Sequence, residues 1–243
     1  IIYIHGLGGS TNAFEPLVSS FRDHLQIRVD LPGAARSPLP AHPITVPGWV
    51  SDLSHVIDTF VPAITQRIVL VGHSLGAIVA MHFAVANPNR IAGLALLGPG
   101  RSATKIPAVV DRFRGMAKTA CEQGMAALAD STVANNVAPG SSGAVKAFVR
   151  EAAMAQSGEG YAACCEALVD PSHVDPDYAA IVAPTVVVAG DQDGICPMER
   201  AVGLTELIGG ERTKVELVAV KSGHQMHLED TEAVIRALKT LLE

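Results

Sequence analysis

Aromatic residues are scarce: Phe, Trp and Tyr together make up 4% of the 243 residues. A core with so few rings must be packed by aliphatic side chains and alanine. Charge is also scarce, at 17%, while hydrophobic residues reach 49%. That balance excludes a disordered chain, which buries too little apolar surface to offset its conformational entropy. Lys and Arg number 18 against 24 Asp and Glu, a formal net charge of −6, and no basic run exists to bind a nucleic-acid backbone. Cysteine is rare and unpatterned: Cys164 and Cys165 are adjacent, while Cys121 and Cys196 stand apart. No C-x-x-C pair or Cys/His zinc spacing occurs, so neither a disulfide framework nor a metal site is expected. The thiols read as buried or idle in a reducing compartment.

A secretory leader is not visible, because no positive region precedes an apolar stretch and cleavage site. The expected location is cytoplasmic. The chain starts without Met inside an apolar run, which suggests that residues upstream are missing. Between Arg67 and Arg90 there is no charged Asp, Glu, Lys or Arg, a stretch long enough to cross a bilayer. Gly72, His73, Ser74, Gly76, His82, Asn87 and Pro88 interrupt it. It reads as a buried strand, a turn and a buried helix, and no membrane partner is expected.

What is present is an alternation. Short β-rich runs occur at Ile1–Ile4, Gln26–Asp30, Ile68–Val71, Ala92–Leu97, Thr185–Ala189 and Val215–Val220. Most are continuously apolar, as in strands covered on both faces of a parallel sheet. Helical patterns separate them: Val50, Leu53, Ile57 and Phe60 recur at about one turn, and Leu75–Ala86 is apolar all round. A stripe of Val234, Leu238, Leu241 and Leu242 follows a helix-start signal at Asp230 and Thr231. Strands alternating with helices predict an α/β fold with a mostly parallel sheet and helices on both faces. Residues 101–178 break the rhythm with alanine-rich helical patterns, such as Met116–Ala129 and Val145–Ala155, and no strand. They read as a helical insertion before the last two strands.

The sharpest chemical signal is Gly72-His73-Ser74-Leu75-Gly76, between an apolar strand and an apolar helix. That context defines a nucleophile elbow, a tight turn that holds a serine hydroxyl out of the sheet. Glycines flank it because backbones crowd there. A serine nucleophile needs a base, and the base an orienting acid; in this architecture they follow in the order serine, acid, histidine. His224, after the last strand, is the candidate base. Asp193 is the candidate acid; Asp191, nearer the strand end, is the alternative or a turn former. His73 and His227 read as structural. Backbone N–H groups of Leu75 and of Leu7, in His5-Gly6-Leu7-Gly8-Gly9, are the candidate oxyanion donors. A dinucleotide fingerprint in that loop would require glycine where Thr11 stands.

These residues resemble the α/β-hydrolase superfamily, in its serine-nucleophile branch. The likeness is carried by His5-Gly6, Asp30-Leu31-Pro32-Gly33, the elbow, Gly190–Pro197, and Gly223-His224 followed by His227-Leu228-Glu229. Two departures stand out: Ala35 occupies a place where the family often has a second glycine, and the family usually has an antiparallel strand pair ahead of Ile1. The resemblance implies a hydrolase core over 1–100 and 179–243, with 101–178 as a helical cap, or lid, over the pocket. Serine at the elbow excludes the haloalkane dehalogenase and epoxide hydrolase branches, which use aspartate. Gly124–Asp130 and Gly160–Cys164 are most similar to 3-oxoadipate enol-lactonases, with carboxylesterases close by. The implied activity is hydrolysis of a small ester or lactone through an acyl-enzyme, with no metal or organic cofactor. A lactone-signal receptor with slow hydrolysis, or a cofactor-free perhydrolase, would use the same scaffold, and a protein partner stays open. For an acidic substrate, Arg101, Lys105, Arg112 and Arg114 are candidate cations.

Overall fold

In the computed structural model, which describes residues 1–61, 67–210 and 213–242, the apolar runs form one sheet. Its strands are β1 (Ile2–Ile4), β2 (Ile27–Val29), β3 (Ile68–His73), β4 (Ile91–Leu97), β5 (Thr185–Gly190) and β6 (Val215–Val220). Their order is β2-β1-β3-β4-β5-β6, and every pairing among the described residues is parallel. The fold is that of an α/β hydrolase.

Both faces are covered, which explains the unbroken apolar runs. Ile2, Ile4, Leu70, Leu94, Leu96 and Val187 pack on one face, against Trp49, Leu53 and Ile57 of α2 (Val46–Phe60), the helix α3 (Leu75–Ala86), and Leu204 of α8 (Met198–Leu207). Tyr3, Val69, Val71, Ala95, Leu97, Val186 and Val188 point the other way. They meet Leu17 of α1 (Glu15–Val18), Met226 of α9 (Met226–Glu229), and Val234 and Leu238 of α10 (Thr231–Lys239). The edge strands β2 and β6 are only half-covered.

Between β4 and β5 lie α4 (Pro107–Gln123), α5 (Ala126–Asn136), α6 (Gly143–Met154) and α7 (Gly158–Val169). The pattern expected as one helix over Met116–Ala129 is split between α4 and α5. Gly124 ends α4 at φ 79 and ψ 169, a positive-φ backbone that favours glycine and that an alanine-rich pattern conceals. Helix α2 starts before its periodic stripe, because Thr45 caps it by accepting from the Gly48 N–H, with Pro47 in the first turn. Helix α10 stops at Lys239, short of Leu241 and Leu242. Leu241 instead packs beside Gly93 of β4, where a Cβ would stand 3.0 Å away. No helix among the described residues is long and apolar enough to cross a membrane.

The chain steps from β1 out to β2, then returns to add β3 on the other side of β1. That reversal opens a crevice at the carboxyl ends of β1 and β3, the usual ligand position in an open parallel sheet.

Candidate active site

The elbow sits at this crevice. Ser74 has φ 52 and ψ −111, and is one of two non-glycine residues with positive φ among those described. Such a backbone costs about 1–3 kcal/mol and persists where the surroundings enforce it. Here they do: the Ser74 N–H donates to Leu97 O at 2.9 Å, and the Ser74 carbonyl accepts from Ala77 N at 3.0 Å. The flanking glycines are steric requirements. A Cβ on Gly72 would stand 2.4 Å from Gly76 O, and one on Gly76 would stand 2.0 Å from Ile4 O. The serine side chain therefore leaves the turn without capping α3.

His224 lies beyond β6, and its Nδ1 stands 2.7 Å from Asp193 Oδ2. Both are buried, at 3% and 4% exposure. The other carboxylate oxygen of Asp193 accepts from Ile195 N at 2.8 Å and Cys196 N at 2.9 Å. A buried carboxylate held by two peptide donors stays in place, and its free oxygen fixes the Nδ1–H tautomer of the imidazole, leaving Nε2 as acceptor. Asp191 does not reach the histidine; its Oδ1 accepts from Ser222 N at 3.1 Å, a turn contact. Gly98 follows β4 at φ 52, and a Cβ there would stand 3.1 Å from the His224 ring and 3.2 Å from Asp193 Oδ2. Sequence reasoning missed this glycine; its place just after an apolar strand was the available signal.

Ser74, His224, Leu7 and Leu75 line one cavity of about 380 Å³, with Asp193 behind the histidine. The loop after β1 presses on the serine: a Cβ on Gly6 would stand 3.0 Å from Ser74 Cβ. Among the described residues, the protein supplies no acceptor to the Leu7 or Leu75 peptide N–H. The far walls come from the insertion, including Phe113 and Met116 of α4, Thr132, Asn135 and Asn136 of α5, and Tyr161 of α7. Of the four expected cations, Arg101 and Arg112 line the cavity, and Lys105 and Arg114 do not. Arg114 stands 3.8 Å from Glu166 instead. Arg200 of α8 lines it too and was not foreseen. No described carboxylate lines it, although acids outnumber bases in the chain.

Four more histidines are buried, and three of them, His5, His73 and His227, pack around the serine and His224. His5 accepts from Leu31 N through Nε2 at 3.1 Å and donates through Nδ1 to Gly6 O at 2.8 Å, which fixes the loop after β1. His73 donates through Nε2 to the His224 carbonyl at 2.8 Å. Burial, reinforced by neighbouring histidines, holds His73 neutral far below the usual imidazole range. His227 stacks on Phe14, its ring nitrogens unpartnered among the described residues, and burial pushes its pKa down to about 3. The structural reading of His73 and His227 matches these surroundings. Among the described residues no three His, Cys, Asp or Glu side chains group as metal ligands would.

The sequence matches the alpha/beta hydrolase family over residues 1–237. It is 25% identical to 3-oxoadipate enol-lactonase 2 of Acinetobacter baylyi, in an alignment that takes in 100% of this chain and 88% of that protein. It is 35% identical to lipase LipV of Mycobacterium tuberculosis, over 41% of this chain and 36% of the lipase. Among solved structures, a thermophilic esterase from Thermogutta terrifontis, malate bound, superposes with a TM-score of 0.88 at 23% identity, over 99% of this chain and 88% of the esterase. The enol-lactonase from Burkholderia xenovorans LB400 gives 0.84 at 24% identity, over 99% and 90%. The elbow, the buried His–Asp pair and the match across nearly the whole chain agree: this protein belongs to the alpha/beta hydrolase family.

Proposed function

We propose that the protein is a serine hydrolase that cleaves an ester or lactone of a small, carboxylate-bearing molecule. The observation that carries this reading is the buried Asp193–His224 pair, at 2.7 Å, on the same cavity as a serine held at φ 52. His224 Nε2 takes the proton of the Ser74 hydroxyl as its oxygen attacks the carbonyl carbon. The negative charge then developing on the carbonyl oxygen is met by the N–H groups of Leu7 and Leu75. Imidazolium His224, steadied by Asp193, returns the proton to the departing alkoxide or enolate. A water molecule, deprotonated by the same nitrogen, releases the acid and regenerates Ser74.

The charge of the pocket supports the choice of substrate. Arg101, Arg112 and Arg200 line it with no described carboxylate among them. Arg101 is held by Asp175 at 3.0 Å, which leaves Arg112 and Arg200 without an ion-pair partner among the described residues. An anionic group on the acyl or leaving side would fit there. A substrate like that of the enol-lactonase relatives follows. Residues 101–178 act as the cap over a core of 1–100 and 179–243, since their helices supply the walls away from the elbow.

The test compares wild type and Ser74→Ala on p-nitrophenyl acetate and on a lactone panel that includes 3-oxoadipate enol-lactone. Wild type should turn over many times per chain, and the variant should lose at least about a thousandfold in kcat. Equal rates would remove Ser74 from the mechanism. Ester turnover with none on any carboxylated lactone would reject the substrate class.

A further inference from the structure

The loop of His224 is gripped from both sides. Its carbonyl accepts from His73 of the elbow, and its peptide N–H donates to Asn136 O, at the end of α5, at 2.7 Å. This second contact crosses from the insertion directly to the residue read as the base. It needs very close approach: a Cβ on Gly223 would stand 2.7 Å from Ala138 N and 2.9 Å from Asn136 O. Two backbones stacked this tightly need something to hold them together.

Glu229 supplies the hold. It sits at the end of α9, five residues past the histidine. One carboxylate oxygen accepts from the Ala138 N–H at 2.8 Å and from the Ser141 hydroxyl, both in the α5–α6 connection. The other accepts from Gln225 N at 3.1 Å, the residue next to His224. Charge-assisted bonds of this kind are about twice as strong as neutral ones. Asn136 and Gln225 both line the cavity, and Val137 and Ala138 are buried beneath the joint.

We propose that Glu229 is a positioning residue: it clamps the α5–α6 connection of the insertion to the loop of His224 and so sets the imidazole between Asp193 and Ser74. The proposal rests on the reading of His224 as base. Without the clamp, the connection lifts from Gly223, the bond from His224 N to Asn136 O is lost, and the ring is no longer held against Asp193. Most of the wall, on α4, α7 and the body of α5, stays in place and only its edge at Asn136 shifts, so proton transfer suffers more than binding.

Three variants of the full chain test this: Glu229→Ala, Glu229→Gln and His224→Ala. The assay is p-nitrophenyl acetate hydrolysis well below each unfolding midpoint, with proton NMR of the far-downfield imidazole signal that the His224–Asp193 bond should give. Glu229→Ala should lose about tenfold to a hundredfold in kcat with KM within about twofold, and its downfield signal should shift or broaden. Glutamine can still accept from Ala138 and Ser141, but its amide opposes the Gln225 N–H. Glu229→Gln should therefore recover only in part, to a kcat about three- to fivefold below wild type. Loss of unfolding midpoint alone, with kcat and the signal unchanged, overturns the proposal. Where Glu229→Ala does not fold, Glu229→Gln decides: wild-type kcat from it overturns the clamp. His224→Ala separates the two readings. If it retains activity, the base assignment has failed; if it is inactive while Glu229→Ala is unimpaired, only the clamp has.

Discussion

The sheet core and the helical insertion meet at one cavity, but they specify it differently. In the core, the residues we propose for the chemistry are single residues at strand ends: Ser74 after β3, Asp193 after β5, His224 after β6, and Leu7 after β1. Parallel strands in register bring those ends together, as Ile4 opposite Gly72 and His73 opposite Leu97 show. The insertion has no such address system. Its helices are alanine-rich and generic, and what it brings to the cavity is carbonyls, side-chain amides, Arg101 and Arg112, and an apolar wall. On the proposed reading, the core fixes which bond breaks, and the insertion fixes what is held and how His224 is steadied.

The largest effect should lie wholly in the core. Asp193→Asn removes the carboxylate that sets the imidazole tautomer, and kcat should fall by about a thousandfold to ten thousandfold. Asp191→Asn, which touches only a turn, should stay within about threefold on the same assay. Reversed results would transfer the acid to Asp191.

Charge recognition should straddle the two regions. Arg112 comes from α4 and Arg200 from α8. Alanine at both should raise KM for a carboxylated ester by about tenfold or more, roughly 1.4 kcal/mol, while a neutral ester of similar size changes little. Equal effects on both esters would show the arginines to be packing or solvated groups instead.

A smaller effect concerns pH. His227 is buried neutral, with a pKa of about 3 against an ordinary 6.5. The unfolded chain therefore binds one more proton between those values, so stability falls as pH drops below about 6.5. His5 and His73, also lowered by burial, add in the same direction. His227→Leu should make the acid limb shallower by about 1.4 kcal/mol per pH unit near pH 5, read by urea unfolding. An unchanged slope would mean that His227 does not contribute.

The smallest effect tests a contact between the regions. Ala35, where the resemblance led us to note a missing glycine, has φ 49. Its N–H donates to Gln156 Oε1 of the insertion at 2.9 Å. Ala35→Gly should gain about 0.5–1 kcal/mol, because glycine adopts that backbone without strain. A loss in thermal unfolding would mean that the methyl packs usefully.

The comparison also explains what could be read beforehand. The strands were legible because burial on both faces leaves apolar runs, and the elbow was legible because its glycines are forced: a Cβ on Gly76 would stand 2.0 Å from Ile4 O. The run ending at Pro197 favoured Asp193 over Asp191 without excluding the latter, since both follow β5; of the two, Asp193 is the one that stands 2.7 Å from His224. The break at Gly124 is local, a single positive-φ glycine inside an alanine-rich pattern. Arg200 and Glu229 were illegible for another reason: each depends on where a generic helix or a distant loop docks, and Glu229 meets Ala138 across 91 positions. In the sequence Glu229 stands only at the end of His227-Leu228-Glu229, with nothing to mark Ala138 as its partner.

The most direct test of the account is covalent trapping. Wild type, Ser74→Ala and His224→Ala are treated with a fluorophosphonate and weighed intact, and the labelled peptide is then sequenced. The account predicts one adduct per wild-type chain, located on Ser74, none on Ser74→Ala, and labelling slowed by at least about a hundredfold in His224→Ala. An adduct on another residue, or unchanged labelling of Ser74→Ala, would contradict it.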